Sequence, residues 1–225
     1  MNFVLSIAAS SIGNSDTALS RIDIIGVPMK PLTIFAWSVF IAVIGASGSF
    51  ALAAGSPPAV DTSGASSCAV RGYLTDRDPK GTNVRGAPRA DAPIIGYLPP
   101  AAMQPEVAEV EGAEFDIVGA KNGWLLIRNA EFDDKVLFAG PGWISGRLAG
   151  TTINNSLMRA EPSDTARVTL NLENDQRGWG PDSYTVIQIH NCRGEFADVS
   201  ARDMDGKVSR GWVTKLCSAQ LTTCP

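Results

Sequence analysis

The chain has 225 residues, 44% of them hydrophobic and 19% charged, with a formal net charge of −4. This length predicts one or two domains. The mild acidity, without any cluster of lysine and arginine, argues against nucleic acid as a partner, because phosphate binding needs a basic surface. A single histidine and four cysteines leave few side chains for metal or nucleophilic chemistry.

The first predicted element is an export signal. Residues 32–54 carry no charge, follow Met29 and Lys30, and end in small residues. A positive residue, a short apolar core and a small-residue exit are typical of a secretory signal peptide. We therefore predict a signal peptide over 29–53, with translation starting at Met29 and residues 1–28 as an extension outside the true protein. The alternative is an uncleaved anchor, because the whole uncharged run is long enough to cross a bilayer with tilt.

The next segment, residues 54–67, is small, polar and Pro-containing, which predicts a flexible tether. Beyond it, short β-branched and aromatic runs are bounded by Gly, Pro, Asn or Asp, and no long helical stripe is present. The runs PIIGYL, EFDIVG, GWLLIR, YTVIQIH and EFADVS are predicted strands. In TVIQIH, strict alternation would put Ile187 and Ile189 on one face. The pattern predicts an all-β protein.

Two parts of this β region repeat the same features in the same order. Each has an aliphatic residue followed by Arg, two residues and Pro, and each closes on a Gly-Trp pair. The matching residues are Val84, Arg85, Pro88, Gly142 and Trp143 in one part, and Met158, Arg159, Pro162, Gly211 and Trp212 in the other. Self-similarity at a nearly constant spacing indicates a tandem repeat. We place the first copy at residues 68–150 and the second copy at residues 155–225.

The stretch TNVRGAPRADAPIIGYLP resembles the opening of bacterial Src-homology-3-like domains, and the Gly-Trp-aliphatic ending resembles their closing strand. The resemblance covers the first copy well. It covers the second copy less well, because that copy lacks the Asn before its aliphatic-Arg pair and contains a polar insert at residues 171–182. It implies two tandem small β-barrels, a form that closes on itself and hides its strand edges.

Roles follow for the repeated residues. Trp143 and Trp212 are predicted core side chains, and the glycine before each lets the backbone turn into the last strand. Arg85 and Arg159 are predicted to support turns through hydrogen bonds to carbonyls.

The resemblance also implies binding of extended peptides against aromatic surfaces. The candidate ligand-binding residues are Tyr73, Tyr97, Trp124, Trp179 and Tyr184. Phe115 is a further aromatic considered for the groove. Trp179 lies in a polar Gly- and Pro-rich run, where it is either folded back as a plug or exposed for contact.

The cysteines all lie after the export signal, so disulfides are expected in an oxidising compartment. Cys68, Cys192, Cys217 and Cys224 allow three connectivities, which stay open. We consider a bond between Cys192 and Cys217 inside the second copy, and one from Cys68 to the C-terminal segment. The spacing of Cys217 and Cys224 is too wide for a zinc knuckle. No metal and no cofactor are expected.

Residues suited to catalysis are few. His190 stands beside Cys192, but a cysteine–histidine pair could form only if that thiol were free. The carboxylates of Glu131, Asp133 and Asp134 resemble a solvated loop, and Asp203 and Asp205 fit a hairpin turn. Neither group is a buried, environment-split acid–base pair. We predict no active site.

These features together predict an exported, periplasmic or secreted, non-enzymatic binding module of the bacterial cell envelope. The expected partner is a peptidoglycan peptide or an envelope protein, with membrane contact only if the signal segment stays uncleaved. Two barrels would gain avidity for a repeated ligand. One rival is a structural adaptor whose barrels pack on each other. A second rival is a cysteine-dependent envelope hydrolase, which requires a free Cys192.

Overall fold

The computed structural model describes residues 59–105, 109–173, 177–222 and 224, so the segments 1–28 and 29–53 lie outside it. The described chain is all-β, as predicted, with two short 3₁₀ helices at Gly146–Leu148 and Pro181–Ser183. The described residues form one compact unit. None of the described elements is a helix long and apolar enough to span a membrane.

The first copy and its flanks contain ten strands. They are β1 (Ser66–Leu74), β2 (Thr82–Arg85), β3 (Ile94–Leu98), β4 (Ala102–Gln104), β5 (Glu109–Glu111), β6 (Glu114–Lys121), β7 (Trp124–Phe132), β8 (Lys135–Phe138), β9 (Gly142–Ser145) and β10 (Ala149–Gly150). Seven further strands follow: β11 (Thr152–Ile153), β12 (Leu157–Arg159), β13 (Val168–Asn171), β14 (Thr185–Arg193), β15 (Phe196–Arg202), β16 (Val208–Val213) and β17 (Leu216–Cys217). All five predicted runs form strands, namely β3, β6, β7, β14 and β15.

Two antiparallel sheets share one topology. The larger has the order β10-β1-β6-β7-β9-β2-β3, with β8 beside β7, and the smaller has the order β13-β12-β16-β15-β14. Reading the smaller one backwards, β14-β15-β16-β12-β13 corresponds strand for strand to β6-β7-β9-β2-β3. Two short pairs, β4 with β5 and β11 with β17, complete the fold. The two copies therefore repeat in strand order as well as in sequence.

The repeated arginines occupy equivalent positions. The guanidinium of Arg85 donates to the carbonyl of Ala92 at 2.8 Å, and that of Arg159 donates to the carbonyl of Ala166 at 2.8 Å. Each bond spans seven residues and closes the loop between two neighbouring strands. A planar, permanently charged donor suits this task, because it satisfies a loop carbonyl that no strand partner reaches.

The repeated glycines are explained by close packing. A methyl group on Gly142 would overlap the Val84 side chain, and one on Gly211 would overlap Met158. The aliphatic residue before each arginine therefore occupies the space that a side chain on the closing strand would need. Trp143 next to the first glycine is fully buried.

The two copies are joined along a seam where β1 meets β14. Cys68 is bonded to Cys192, and the amide of Gly194 donates to the carbonyl of Ser67 at 2.9 Å. One hydrophobic cluster contains residues of both copies, from β1 through β16. At the far side of the seam Gly146 lies against the carbonyl of Ile189, where any side chain would collide. The copies thus share a core.

The disulfides correct the sequence interpretation. All four cysteines are paired, as expected, but the bonds are Cys68–Cys192 and Cys217–Cys224. The pairing of Cys192 with Cys217 is therefore wrong, and so is the bond from Cys68 to the C-terminal segment, because Cys68 bonds Cys192 and the two C-terminal cysteines bond each other. The strand β1 belongs to the sheet of the first copy but also contacts β14 of the second copy, and this long-range contact brings Cys68 to Cys192.

Three further expectations differ from the structure. The tether predicted at 54–67 ends earlier, because Ser66 begins β1. The simple alternation in β14 is interrupted by two register shifts, so Val186, Ile189 and Cys192 are the buried positions. Trp212 is only half-buried, because its side of β16 is the outer face of the smaller sheet.

The glycine packing predicts a selective loss of stability. Gly142→Ala is expected to lower the free energy of unfolding by roughly 1–3 kcal/mol, because an added methyl overpacks a filled site. The matched control is Gly140→Ala, since a methyl group there meets open space. Urea denaturation of both variants measures the difference. Equal stability of the two variants would contradict the overlap with Val84.

The disulfides predict unequal effects on stability. In the chain-entropy model, removing the Cys68–Cys192 bond, which closes a separation of 124 residues, costs about 5 kcal/mol. Removing the Cys217–Cys224 bond, with a separation of 7, costs about 2 kcal/mol. The double variants Cys68→Ser/Cys192→Ser and Cys217→Ser/Cys224→Ser are compared by urea denaturation. If removal of the Cys217–Cys224 bond lowered the free energy of unfolding more, the disulfide at the seam would not be the main covalent constraint on the fold.

Candidate functional site

The candidate aromatic residues fall into three separate places. Trp124 lines one cleft, which we call the Trp124 cleft. Tyr97 does not line it but packs against two of its lining residues, Gly81 and Asn83. Tyr73 and Tyr184 line a second cleft between the copies, which we call the seam cleft. Trp179 lines neither of these two clefts. Phe115 is fully buried in the core and cannot contact a ligand.

The Trp124 cleft has a volume of about 210 Å³ and is formed by β2, the first residue of β7, the end of β9 and the 3₁₀ turn that follows. Trp124 is paired with Ser145 across the two strands. Beside the half-buried indole lie the polar side chains of Asp76, Thr82, Asn83 and Arg85. The cleft therefore combines one aromatic surface with one carboxylate and one guanidinium.

The polar residues of this cleft are held in place by local hydrogen bonds. The hydroxyl of Thr82 donates to Asp76 at 2.6 Å, and the Asp78 amide donates to the same carboxylate at 3.0 Å. Tyr97 stands opposite Asn83 on the neighbouring strand, and 47% of its surface is exposed. Its hydroxyl lies over Gly81, whose φ of 63° and lack of a side chain permit that approach.

The seam cleft is larger than the Trp124 cleft, and more of its lining is polar. It has a volume of about 360 Å³ and is lined by Tyr73, Thr151, Thr152, Asp182, Tyr184, Thr185, Gln220, Leu221 and Thr222. Burial raises the pKa of the Tyr73 hydroxyl. Burial also raises the pKa of Tyr184, with a smaller contribution from the negative charge of Asp203. Both phenols therefore stay neutral hydrogen-bonding groups at ordinary pH.

Trp179 belongs to a different cluster. The Arg177 guanidinium lies 4.8 Å from the centre of the Trp179 ring, a cation–π distance. The same guanidinium forms an ion pair with Asp205 in the β15–β16 hairpin. Trp179 is half-buried, so it is held by its neighbours while part of the ring stays in contact with solvent.

Sequence reasoning missed several residues that line these clefts. Asp76, Thr151, Thr152 and Gln220 carried no motif, and Arg85 was assigned a structural role alone. Gln220 reaches the cleft because its amide group bonds both the N–H and the carbonyl of Gly112, at 2.8 and 2.9 Å. No local pattern indicates that contact, since it joins two residues that lie 108 positions apart in the chain.

The cysteine–histidine pair considered from the sequence is not formed. Cys192 is bonded to Cys68, and His190 instead shares a hydrogen bond of 2.8 Å with the hydroxyl of Ser200. Burial lowers the pKa of His190, and the positive charge of Arg210 lowers it further. The hydrolase interpretation requires a free Cys192 thiol, so the disulfide removes its nucleophile.

Acidic side chains gather at one further cleft, of about 330 Å³, that contains Glu111, Glu114, Glu131, Asp133 and Asp134. Arg71 forms ion pairs with Glu114 and Glu131, at 3.6 and 3.4 Å. Within the described ranges no group of three or more histidine, cysteine, aspartate or glutamate side chains is arranged to hold a metal ion.

Comparison with known proteins gives few matches. No protein-family model matches the chain, and no curated protein does. Among solved structures, NlpC1 from Trichomonas vaginalis has 16% identity and a TM-score of 0.26 over 66% of this chain and 45% of its own. NlpC2 from the same organism has 17% identity and a TM-score of 0.24 over 66% and 47%. The chain thus spans less than half of each of these proteins, and similarity at this level establishes neither family nor activity.

The lowered pKa of His190 predicts a specific pH dependence of stability. As pH falls below the ordinary value of 6.5, the unfolded chain binds the proton first, so folding free energy is lost until the folded pKa is reached. His190→Gln removes this titration while keeping a polar partner for Ser200. Urea denaturation at pH values from about 5 to 8 should show that the free energy of unfolding falls less steeply with decreasing pH in the variant than in the unaltered chain. Parallel profiles would show that His190 is not desolvated.

Proposed function

We propose that the chain is an exported, non-catalytic binding protein of the bacterial cell envelope, built from two Src-homology-3-like barrels. Its ligand is an extended peptide of peptidoglycan or of an envelope protein, and its site is the Trp124 cleft. Two disulfides in a chain of this size indicate an oxidising compartment, which supports export. The repeated strand order supports a pair of related barrels.

The observation that carries this proposal is the composition of the Trp124 cleft. Half-exposed aromatic rings give large contact area at little cost in conformational entropy, and peptide sites commonly use them. The carboxylate of Asp76 suits an ammonium group, and the Arg85 guanidinium suits a carboxylate. A volume of about 210 Å³ lies below the usual range for drug-sized ligands of about 300–1,000 Å³. The cleft therefore fits one or two residues of a chain that extends beyond it.

A second candidate function is that of a structural adaptor. The specific observation in its favour is the seam, because the copies share one core, a disulfide and the Gln220–Gly112 bonds. Tyr184 is buried between the copies, as a scaffold would require. In this case the seam serves only to hold two surfaces at a constant orientation for a protein partner.

Co-sedimentation with purified peptidoglycan sacculi distinguishes the two functions. The full chain, with its disulfides intact, is expected to pellet with sacculi at low and moderate salt. Tyr97→Ala and Trp124→Ala should weaken binding about tenfold or more, because truncating an aromatic anchor typically costs over about 1.4 kcal/mol. Trp179→Ala, outside the cleft, is the matched control and should bind like the unaltered chain.

Each contrary outcome has a definite meaning. If the unaltered chain stays in the supernatant, the wall ligand is wrong, and crosslinking for an envelope protein becomes the next search. If it pellets but Trp124→Ala binds equally well, the Trp124 cleft is not the site. Circular dichroism of each variant separates lost binding from lost folding.

A further inference from the structure

In the first copy a short turn of the chain, closed by the Ala65 amide donating to the Thr62 carbonyl, covers the closing tryptophan, Trp143. We call residues 61–63 the Asp61 segment. The amide of Asp61 donates to the carbonyl of Gly86 at 2.8 Å, and the Trp143 indole N–H donates to the Asp61 carbonyl at 2.9 Å. Lys121 donates to the carbonyl of Ser63 at 2.6 Å. Three hydrogen bonds hold the backbone of this segment in place: one at the N–H of Asp61, one at its carbonyl and one at the carbonyl of Ser63.

The second copy carries the same tryptophan and carbonyl in the same register. Trp212 stands opposite Arg159 as Trp143 stands opposite Arg85. The amide of Ala160 donates to the Arg167 carbonyl, as that of Gly86 donates to Pro93. The carbonyl of Ala160 therefore corresponds to the carbonyl that receives the Asp61 amide in the first copy.

The basic residue is also reproduced. Lys121 is paired with Trp124 at the end of the β6–β7 hairpin, and Arg193 is paired with Phe196 at the end of the β14–β15 hairpin. Arg193 is exposed. All three groups that hold the Asp61 segment thus have a counterpart. We call Ala160, Arg193 and Trp212 the Trp212 face.

Unlike its counterpart, Trp212 is half-buried, and none of the described residues accepts a hydrogen bond from its indole N–H. Chain order gives the reason. The Asp61 segment directly precedes β1 and folds back over the first copy. The residues just before the second copy, Thr152 and Ile153, are instead paired with β17, so they cannot fold back in the same way.

The charges of the Trp212 face differ from those of the first copy. Asp198 replaces Leu126 opposite the tryptophan, and Arg210 binds both oxygens of its carboxylate, at 3.1 and 2.7 Å. That pair is neutral overall, so the charge that the face offers a partner is the exposed guanidinium of Arg193, which forms no ion pair with any of the described residues. An excess of exposed positive charge favours an acidic segment.

We propose that the Trp212 face is a docking site for a short, acidic, turn-forming peptide segment of a partner protein, bound as the Asp61 segment binds the first copy. The peptide would donate one amide to the Ala160 carbonyl, accept the Trp212 indole N–H, and present its next carbonyls and a carboxylate to Arg193. The site is separate from the Trp124 cleft, so this proposal does not depend on whether the chain binds the cell wall.

The test uses the chain's own segment as the probe. The peptide acetyl-Val-Asp-Thr-Ser-Gly-amide, the sequence of residues 60–64, is titrated into the ¹⁵N-labelled full chain. The five tryptophans give separate indole signals, and Trp212→Phe assigns one of them. The Trp212 signal is expected to shift saturably while the Trp143 signal stays unchanged. Added salt should weaken binding, since exposed charges are screened.

Substitutions sharpen the test. Arg193→Ala should weaken binding about tenfold, as expected for one charged hydrogen bond. Lys121→Ala is the matched control in the first copy and should leave the affinity unchanged. A peptide with Asn in place of Asp should also bind less well. Arg193 is exposed, so its variant stays informative even if Trp212→Phe does not fold.

Three results would overturn the proposal. The first is no shift of the Trp212 signal at millimolar peptide. The second is an equal affinity for Arg193→Ala. The third is a Trp212 indole proton that exchanges as slowly as that of Trp143 before any peptide is added, which would mean that another part of the same chain covers the face.

Discussion

The structure depends on the contact between β1 and the second copy. Cys68 is bonded to Cys192 there, and Ser67, Ala69 and Gly194 exchange backbone hydrogen bonds beside the disulfide. Small β domains bury only a modest share of their surface, so each is weakly stable alone. Packing two of them around one shared core supplies apolar burial that neither has by itself, and the disulfide limits their separation in the unfolded chain.

On this common frame the copies have diverged at their outer faces. Both keep the arginine that bonds a loop carbonyl and the glycine that accepts a neighbouring aliphatic side chain. The first copy covers its closing tryptophan with the chain that precedes it, whereas the second exposes part of its tryptophan beside Arg210 and Asp198. The same tryptophan position is therefore a core position in the first copy and a surface position in the second.

The aromatic residues support both functional interpretations in different places. Trp124 lines a cleft on the first copy and the exposed Tyr97 lies next to that cleft, which favours peptide binding. Tyr184 is buried where the copies meet, and Tyr73 lines the same seam cleft, which favours a rigid scaffold. These roles are compatible, because a rigid pair of domains presents its binding surfaces at constant spacing and loses little entropy on binding.

The sequence by itself determined the features that depend on neighbours along the chain. The five strands follow from short runs of β-branched and aromatic residues bounded by turn residues, because that preference acts within a few residues. The repeat follows from the recurring Arg and Gly-Trp spacing, which is visible in the sequence itself. The register shifts in β14 escaped prediction because a bulge leaves no clear mark on hydrophobic alternation.

Only the tertiary structure decided which cysteines pair, which aromatic residues meet and what covers each tryptophan. Cys68 and Cys192 lie 124 residues apart, and Gln220 reaches Gly112 across 108 residues. The clefts are made where such distant segments meet. Contacts of that kind depend on how the two sheets pack against each other. The sequence around each contacting residue carries no signal of that packing, because the partner lies more than a hundred residues away.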